Sequence, residues 1–268
     1  MVTRMAAVLS WTVAAFGIRV LGAPVGWLSP ALGRKWRRWI FRAWGRVTWR
    51  IIGMRVEVHG TPPSPPFIQV TNHVSYLDTA LMGGLMGCVF VAKAEMERWP
   101  VFGRIAKGMG TIFIRRDRMR DTVRVNDLIT KVIDSEEGLQ IFAESTTSRG
   151  VEVRPFKTAL LEPAARRRYP VHYAAITYRT PEGYPAAADV VCWWTMVPFL
   201  WHALALFRLP YFNASVTFGE APIVADDRKA LALELRDAVQ RIFVPIPQGP
   251  ATLDKALKEG LPDYPFAR

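Results

Sequence analysis

The first half-hundred residues carry two different hydrophobic patterns. Residues 5–18 (MAAVLSWTVAAFGI) form a nearly unbroken apolar run, which continues to residue 32 with Arg19 as its only charge and with Pro24 and Pro30 as interruptions. A run of this length predicts a helix that lies in or dips into a membrane interface, or one that spans. The central arginine and the prolines favour the interfacial arrangement, and no A-x-A cleavage site follows to mark a secretory signal. From Arg34 to Ile52 the spacing becomes helical. At about 100° per residue, Trp36, Ile40, Trp44, Val47 and Ile51 fall within an arc of about 80°, and Arg34, Arg38, Arg42, Arg46 and Arg50 cover about 160° opposite. This predicts a basic amphipathic helix with its apolar stripe on a membrane; a helix packed on a soluble core is the competing reading.

Beyond Gly60 the Pro-rich stretch TPPSPP (residues 61–66) marks the entry to a second pattern, in which short β-type runs alternate with longer helical ones. Strands are predicted at Arg55–Val58, Phe67–Val70, Cys88–Ala92, Gly110–Ile114, Leu139–Phe142, Val171–Thr177, Asp189–Trp194 and Ala214–Phe218. Helices are predicted at Ser75–Met86, Arg118–Ser135, Lys157–Arg168, Pro198–Phe207 and Asp226–Phe243. The alternation points to an α/β fold with a mixed, largely parallel sheet flanked by helices. The chain accordingly divides into residues 1–54, a basic, aromatic, membrane-associating helical segment; residues 55–245, one catalytic-sized α/β domain; and residues 246–268, a Pro- and Gly-rich tail.

Charge sharpens that division. The net charge is +12, yet ten of the 35 Lys and Arg precede Glu57, the first acid, which leaves 25 bases against 23 acids for the remainder. Six of the ten Trp lie in the same N-terminal stretch. Cations beside indoles suit the headgroup layer of an anionic leaflet. A near-neutral remainder without a zinc, homeodomain or stacking-sheet motif excludes a nucleic-acid partner. Cys88 and Cys192 each sit in an apolar run, so neither a disulfide framework nor a thiolate metal site is expected, and no metal ligand set stands out.

The candidate chemistry falls where predicted strands end: Asn72-His73 after FIQVT, Lys93 after CVFVA, Arg115-Arg116 after GTIFI, and Glu144-Ser145-Thr146 after LQIFA. Carboxyl ends of strands are where open α/β sheets bind ligands. In Asn72-His73-Val-Ser-Tyr-Leu-Asp78 the carboxylate can reach back to one imidazole nitrogen and leave the other as a general base. Ser75-x-x-Asp78 also reads as a helix capping box, in which Asp78 serves the backbone. No G-x-S-x-G elbow supports a serine hydrolase. His59, His172 and His202 lack acidic neighbours at useful spacing and read as structural.

NHVSYLD, GTIFIRR, FAESTTSRG and YPVHYAAITY resemble, in order and spacing, the four blocks of the glycerolipid acyltransferase family, which includes the 1-acylglycerol-3-phosphate acyltransferases. The resemblance covers roughly residues 55–225. It implies that His73 is the general base that deprotonates the acceptor hydroxyl and that Asp78 orients it. It also implies that Lys93 and Arg116 bind the acceptor phosphate, and that Glu144, Ser145 and Thr146 of the third block contact substrate. The implied reaction moves a fatty acyl group from acyl-CoA or acyl-carrier protein to a lysophospholipid, foremost 1-acylglycerol-3-phosphate, with no cofactor, at the cytoplasmic face of the cell membrane. The third block departs from the family's Phe-Pro-Glu-Gly-Thr: Ser145 stands in place of Gly, and Thr147 in place of the Arg that commonly follows. The departure opens two alternatives, another lysolipid acceptor or a catalytically weak lipid-binding member of the same fold.

Overall fold

The computed structural model describes residues 2–99, 102–115, 119–194 and 197–249. Its strands are β1 (Met54–His59), β2 (Phe67–Thr71), β3 (Val89–Lys93), β4 (Ile112–Ile114), β5 (Gly138–Phe142), β6 (Val171–Arg179) and β7 (Phe212–Phe218). They form one sheet in the order β1-β7-β6-β2-β5-β3-β4. β6, β2, β5, β3 and β4 run parallel, whereas β7 is antiparallel to β6 and parallel to β1. The mixed, mostly parallel sheet is the one predicted. Every residue of β2 (FIQVT) and β5 (GLQIF) is buried, which explains why the central strands read as continuous runs rather than alternating ones. One polar pair links their side chains, Gln140 Nε2 donating to Thr71 Oγ1 at 2.9 Å.

The helices are α1 (Val2–Leu21), α2 (Ala23–Leu28), α3 (Pro30–Ile52), α4 (Leu77–Met86), α5 (Phe102–Gly108), α6 (Met119–Asp134), α7 (Glu162–Arg166), α8 (Ala187–Val190), α9 (Phe199–Leu206) and α10 (Arg228–Ile242). The strand predicted at Asp189–Trp194 does not form. Its first residues belong to α8, and the segment continues from there as a partly buried loop whose backbone and indole groups find partners outside the sheet. The Trp193 amide donates to Val74 O at 2.8 Å, and the Trp193 and Trp194 indoles donate to Val197 O and Ala188 O. The helix predicted at Lys157–Arg168 shortens to a 3₁₀ turn (Ala159–Leu161) and α7, with Pro163 in the first turn where it needs no amide.

The stripe of α3 also faces a different partner from the one predicted. Ile40 is 2% exposed, and Trp36 and Trp44 pack against the core. α1 covers this side: the Trp44 indole donates to Thr12 Oγ1, and the Trp11 indole to Trp44 O, each at 3.1 Å. The neighbouring face, Phe41, Gly45, Thr48 and Ile52, is buried against α4. There the helices cross glycine to glycine, since a Cβ at Gly45 would lie 2.5 Å from the Gly84 backbone. Trp49, on the basic side of the wheel, donates its indole to Ala80 O at 2.9 Å, and Arg46 Nε donates to Gly84 O at 3.1 Å. α3 therefore braces α4. Exposed apolar surface is concentrated instead on α1 and α2, where Leu21, Trp27 and Leu28 are 81%, 85% and 89% exposed. The segment Val2–Leu28 is long and apolar enough to cross a membrane, and little of it is buried.

Candidate active site

β2 delivers the chain to Asn72, whose side chain is clamped edge to edge on β6: Ile176 N donates to its Oδ1 at 2.7 Å and its Nδ2 donates to Ile176 O at 2.9 Å. His73 follows, and after one turn α4 presents Asp78. The His73 Nδ1 and Asp78 Oδ2 atoms are 2.8 Å apart, with side-chain exposures of 18% and 0%. Asp78 Oδ2 also accepts from the Val74 and Ser75 amides at 2.8 and 3.0 Å, and Oδ1 accepts from the Tyr178 hydroxyl at 2.8 Å. A carboxylate with four donors is an acceptor throughout, so His73 Nδ1 carries the proton and Nε2 presents a lone pair. The capping box forms only in half: Asp78 Oδ2 returns to Ser75 N, but Ser75 Oγ accepts from Leu77 N and the Asp78 amide donates to Ser75 O instead. The oxygen that serves the backbone also holds the imidazole.

The loop after β5 closes on this dyad. Glu144 Oε1 accepts from the His73 amide at 3.3 Å, and the Ser148 amide donates to His73 O at 2.8 Å. The imidazole stacks on Phe142 with ring centres 4.1 Å apart. Glu144 is 3% exposed, and its Oε2 is buried without a hydrogen bond. Burial pushes its carboxyl up to about 8, against the smaller opposing pull of the His73 amide and the Arg154 charge. Ser145, in the position of the family's Gly, has φ +67°, the left-handed region that a Cβ disfavours. Thr146 is exposed on the same loop. Thr147 does not point a polar group at solvent, because its hydroxyl donates to Trp193 O. Arg149 lies 3.6 Å from Asp189 and over the Trp194 ring, and Arg154 is exposed.

Lys93 is exposed at the end of β3, in register with Ile114 of β4, so Lys93 and the exposed Arg115 emerge together at the carboxyl edge of the sheet that also carries His73 and Glu144. Arg116 lies outside the described residues. Among the four His, His202 is 1% exposed; its Nε2 donates to Cys192 O at 3.0 Å, which makes Nδ1 the acceptor for the Tyr76 hydroxyl at 3.2 Å. Burial lowers it to about 4. Two residues were not singled out by sequence reasoning. Tyr178 is a fully buried hydroxyl at the end of an apolar strand, a pattern that signals a partner. Trp193 was hidden by the mistaken strand.

A buried carboxylate locked on one nitrogen of a partly exposed histidine, at the strand-end edge of an α/β sheet, defines a hydroxyl-activating transferase or hydrolase site. The comparisons narrow that class. A family model described as Acyltransferase matches residues 55–177. A lyso-ornithine lipid O-acyltransferase of Rhizobium meliloti (strain 1021) is 34% identical over 232 residues, covering 82% of this chain and 78% of that protein. A 1-acyl-sn-glycerol-3-phosphate acyltransferase of Neisseria meningitidis serogroup B is 28% identical over 204 residues, covering 74% and 78%. The crystal structure of the 1-acyl-sn-glycerophosphate (LPA) acyltransferase PlsC from Thermotoga maritima superposes with a TM-score of 0.56 at 17% identity, over 91% of this chain and 100% of that one, and shows the same fold. The chain belongs to the glycerolipid acyltransferase family and is an acyltransferase.

Proposed function

We propose that this enzyme is a membrane-associated lysolipid O-acyltransferase that takes its acyl group from an acyl-CoA or acyl-carrier-protein thioester, and that lyso-ornithine lipid is its preferred acceptor. The His73–Asp78 pair carries the reading. His73 Nε2 takes the proton from the acceptor hydroxyl as the oxygen attacks the thioester carbonyl, and Asp78 balances the imidazolium that forms. The tetrahedral oxyanion collapses by breaking the C–S bond, and the imidazolium returns its proton to the leaving thiolate. No metal or cofactor takes part. Lys93 and Arg116 attract the anionic end of the acceptor, a carboxylate or a phosphate, while Glu144, Ser145 and Thr146 flank the reacting groups.

Three observations favour a phosphate-free acceptor. The relative with 34% identity acts, by its name, on lyso-ornithine lipid; Thr147 stands where the family commonly has an Arg; and its hydroxyl is spent on Trp193 O. Lysophosphatidate is the second reading, favoured by the paired cations Lys93 and Arg115 at the sheet edge. The exposed apolar face of α1 and α2 enters the lipid, and the exposed Arg42, Arg46 and Arg50 of α3 meet anionic headgroups on the cytoplasmic side. A radiolabelled acyl-transfer assay with lyso-ornithine lipid, lysophosphatidate and other lysolipids, each with both donor types, tests the assignment. Fastest turnover on lyso-ornithine lipid is expected; turnover confined to lysophosphatidate overturns the preference, and none with any lysolipid overturns the function.

A further inference from the structure

We propose that Tyr178 is a positioning residue for acyl transfer, whose hydroxyl, donated to Asp78 Oδ1, keeps that carboxylate aimed at His73. This rests on the general-base reading of His73. Asp78 and Tyr178 are both fully buried, and the four donors to Asp78 divide unevenly: Oδ2 takes His73 Nδ1 and two amides of its own loop, whereas Oδ1 takes Tyr178. The three donors on Oδ2 all come from residues within five positions of Asp78, so they move with the loop. Tyr178 comes from β6, 100 residues away in sequence. The same strand clamps Asn72 through the Ile176 backbone. One rigid central strand thus pins the loop just before His73 and again at Asp78, which fixes both partners of the dyad to the sheet.

The hydroxyl also answers an electrostatic need. A carboxylate removed from water needs partners or it neutralises. Tyr178 meets that need as a permanent donor, since burial first and Asp78 second push its phenol well above the usual tyrosine range. The other ionisable groups that face the dyad are Glu144 from the loop after β5, Cys192 from the loop after α8, and Tyr76, which acts on Tyr178 and is hydrogen-bonded to His202; Arg154 acts on Glu144. Burial pushes Glu144 up to about 8 and Cys192 and Tyr178 well above their usual ranges, so of these three only Glu144 changes charge near the top of a pH 5–8 window, and a shift of the limb is read between variants that all carry it.

The test is the pH profile of kcat/KM between pH 5 and 8 for Tyr178→Phe, which keeps the ring and removes the donor, with whichever lysolipid the panel turns over fastest. Without the hydroxyl, the negative charge of Asp78 is less well spread, and the dyad retains a proton to higher pH. The acid limb is expected to move up by about half a unit or more, with kcat at pH 7 down about tenfold and KM within about twofold. Phe212→Leu, which loosens a ring 6.1 Å from that of Tyr178 without touching the hydrogen bond, is expected to lower Tm and leave the limb in place. Loss of rate equal at every pH for Tyr178→Phe, or an equal limb shift for Phe212→Leu, overturns the proposal. If Tyr178→Phe does not fold, 3-fluorotyrosine at position 178 gives a stronger donor; the limb is then expected to move down, and an unmoved limb overturns the proposal. A limb that survives in His73→Ala indicts the general-base reading instead.

Discussion

The turn from β2 into α4 and the loop after β5 each bury one carboxyl in the same site, and they treat it differently. Asp78 receives four hydrogen bonds, three of them between 2.8 and 3.0 Å from a ring and two amides and the fourth from Tyr178 at 2.8 Å. Glu144 receives one long bond from the His73 amide and leaves Oε2 without any, and its carboxyl is pushed up to about 8. Similar burial thus yields a charged orienting group in one loop and a largely protonated one at neutral pH in the other. The donors, rather than the depth, decide the state. For the site this means one anion, opposite the imidazole, instead of two repelling ones.

Exchange of the charged member breaks the comparison most strongly. Asp78→Asn presents an amide to Nδ1 and to two backbone N–H groups that need an acceptor, so acyl-transfer turnover is expected to fall at least about a hundredfold. Exchange of the neutral member acts on stability. Glu144 binds its proton more tightly folded than unfolded, so the stability it contributes is full below about 4.5 and is lost as pH rises toward about 8. Glu144→Gln is already neutral; by denaturant melts it is expected to gain on wild type with rising pH, by on the order of 2 kcal/mol at pH 8 and nothing at pH 4.5.

His202 is a control outside both loops, and its sign is opposite. It is held neutral when folded, down to about 4, so its contribution is present above about 6.5 and fades as pH falls through that window. His202→Gln is expected to remove roughly 1 kcal/mol of the acid-side loss, read from Tm at pH 5 against pH 7. The smallest effect is expected for Lys93→Ala, which leaves both carboxyls alone: a rise of about fivefold in the apparent KM for an anionic acceptor with turnover nearly kept, measured by initial rates.

The strands that carry chemistry were legible because their patterns are local. FIQVT and LQIFA are buried runs that end in polar clusters, and the sheet aligns those ends as parallel pairing demands. Ser145 was legible as a conflict, a Cβ where the family has none, and its φ of +67° shows that the backbone kept the glycine's shape. The stripe of α3 misled because indoles and leucine-sized side chains look the same to a membrane as to a neighbouring helix. Only the crossing of Gly45 on Gly84 and the Trp44–Thr12 contact decide between them, and both are non-local. The run from Asp189 to Trp194 failed likewise: its hydrophobicity was real, but its first residues close the short helix α8 and the rest is held by Val74 O, Val197 O and Ala188 O rather than by a neighbouring strand.

Acyl transfer by His73→Ala in detergent micelles, beside wild type and with equal thermal melts, measures most directly whether His73 is the proton acceptor. The expected kcat/KM is below about one hundredth of wild type; a variant that melts normally and keeps more than about a tenth contradicts that role.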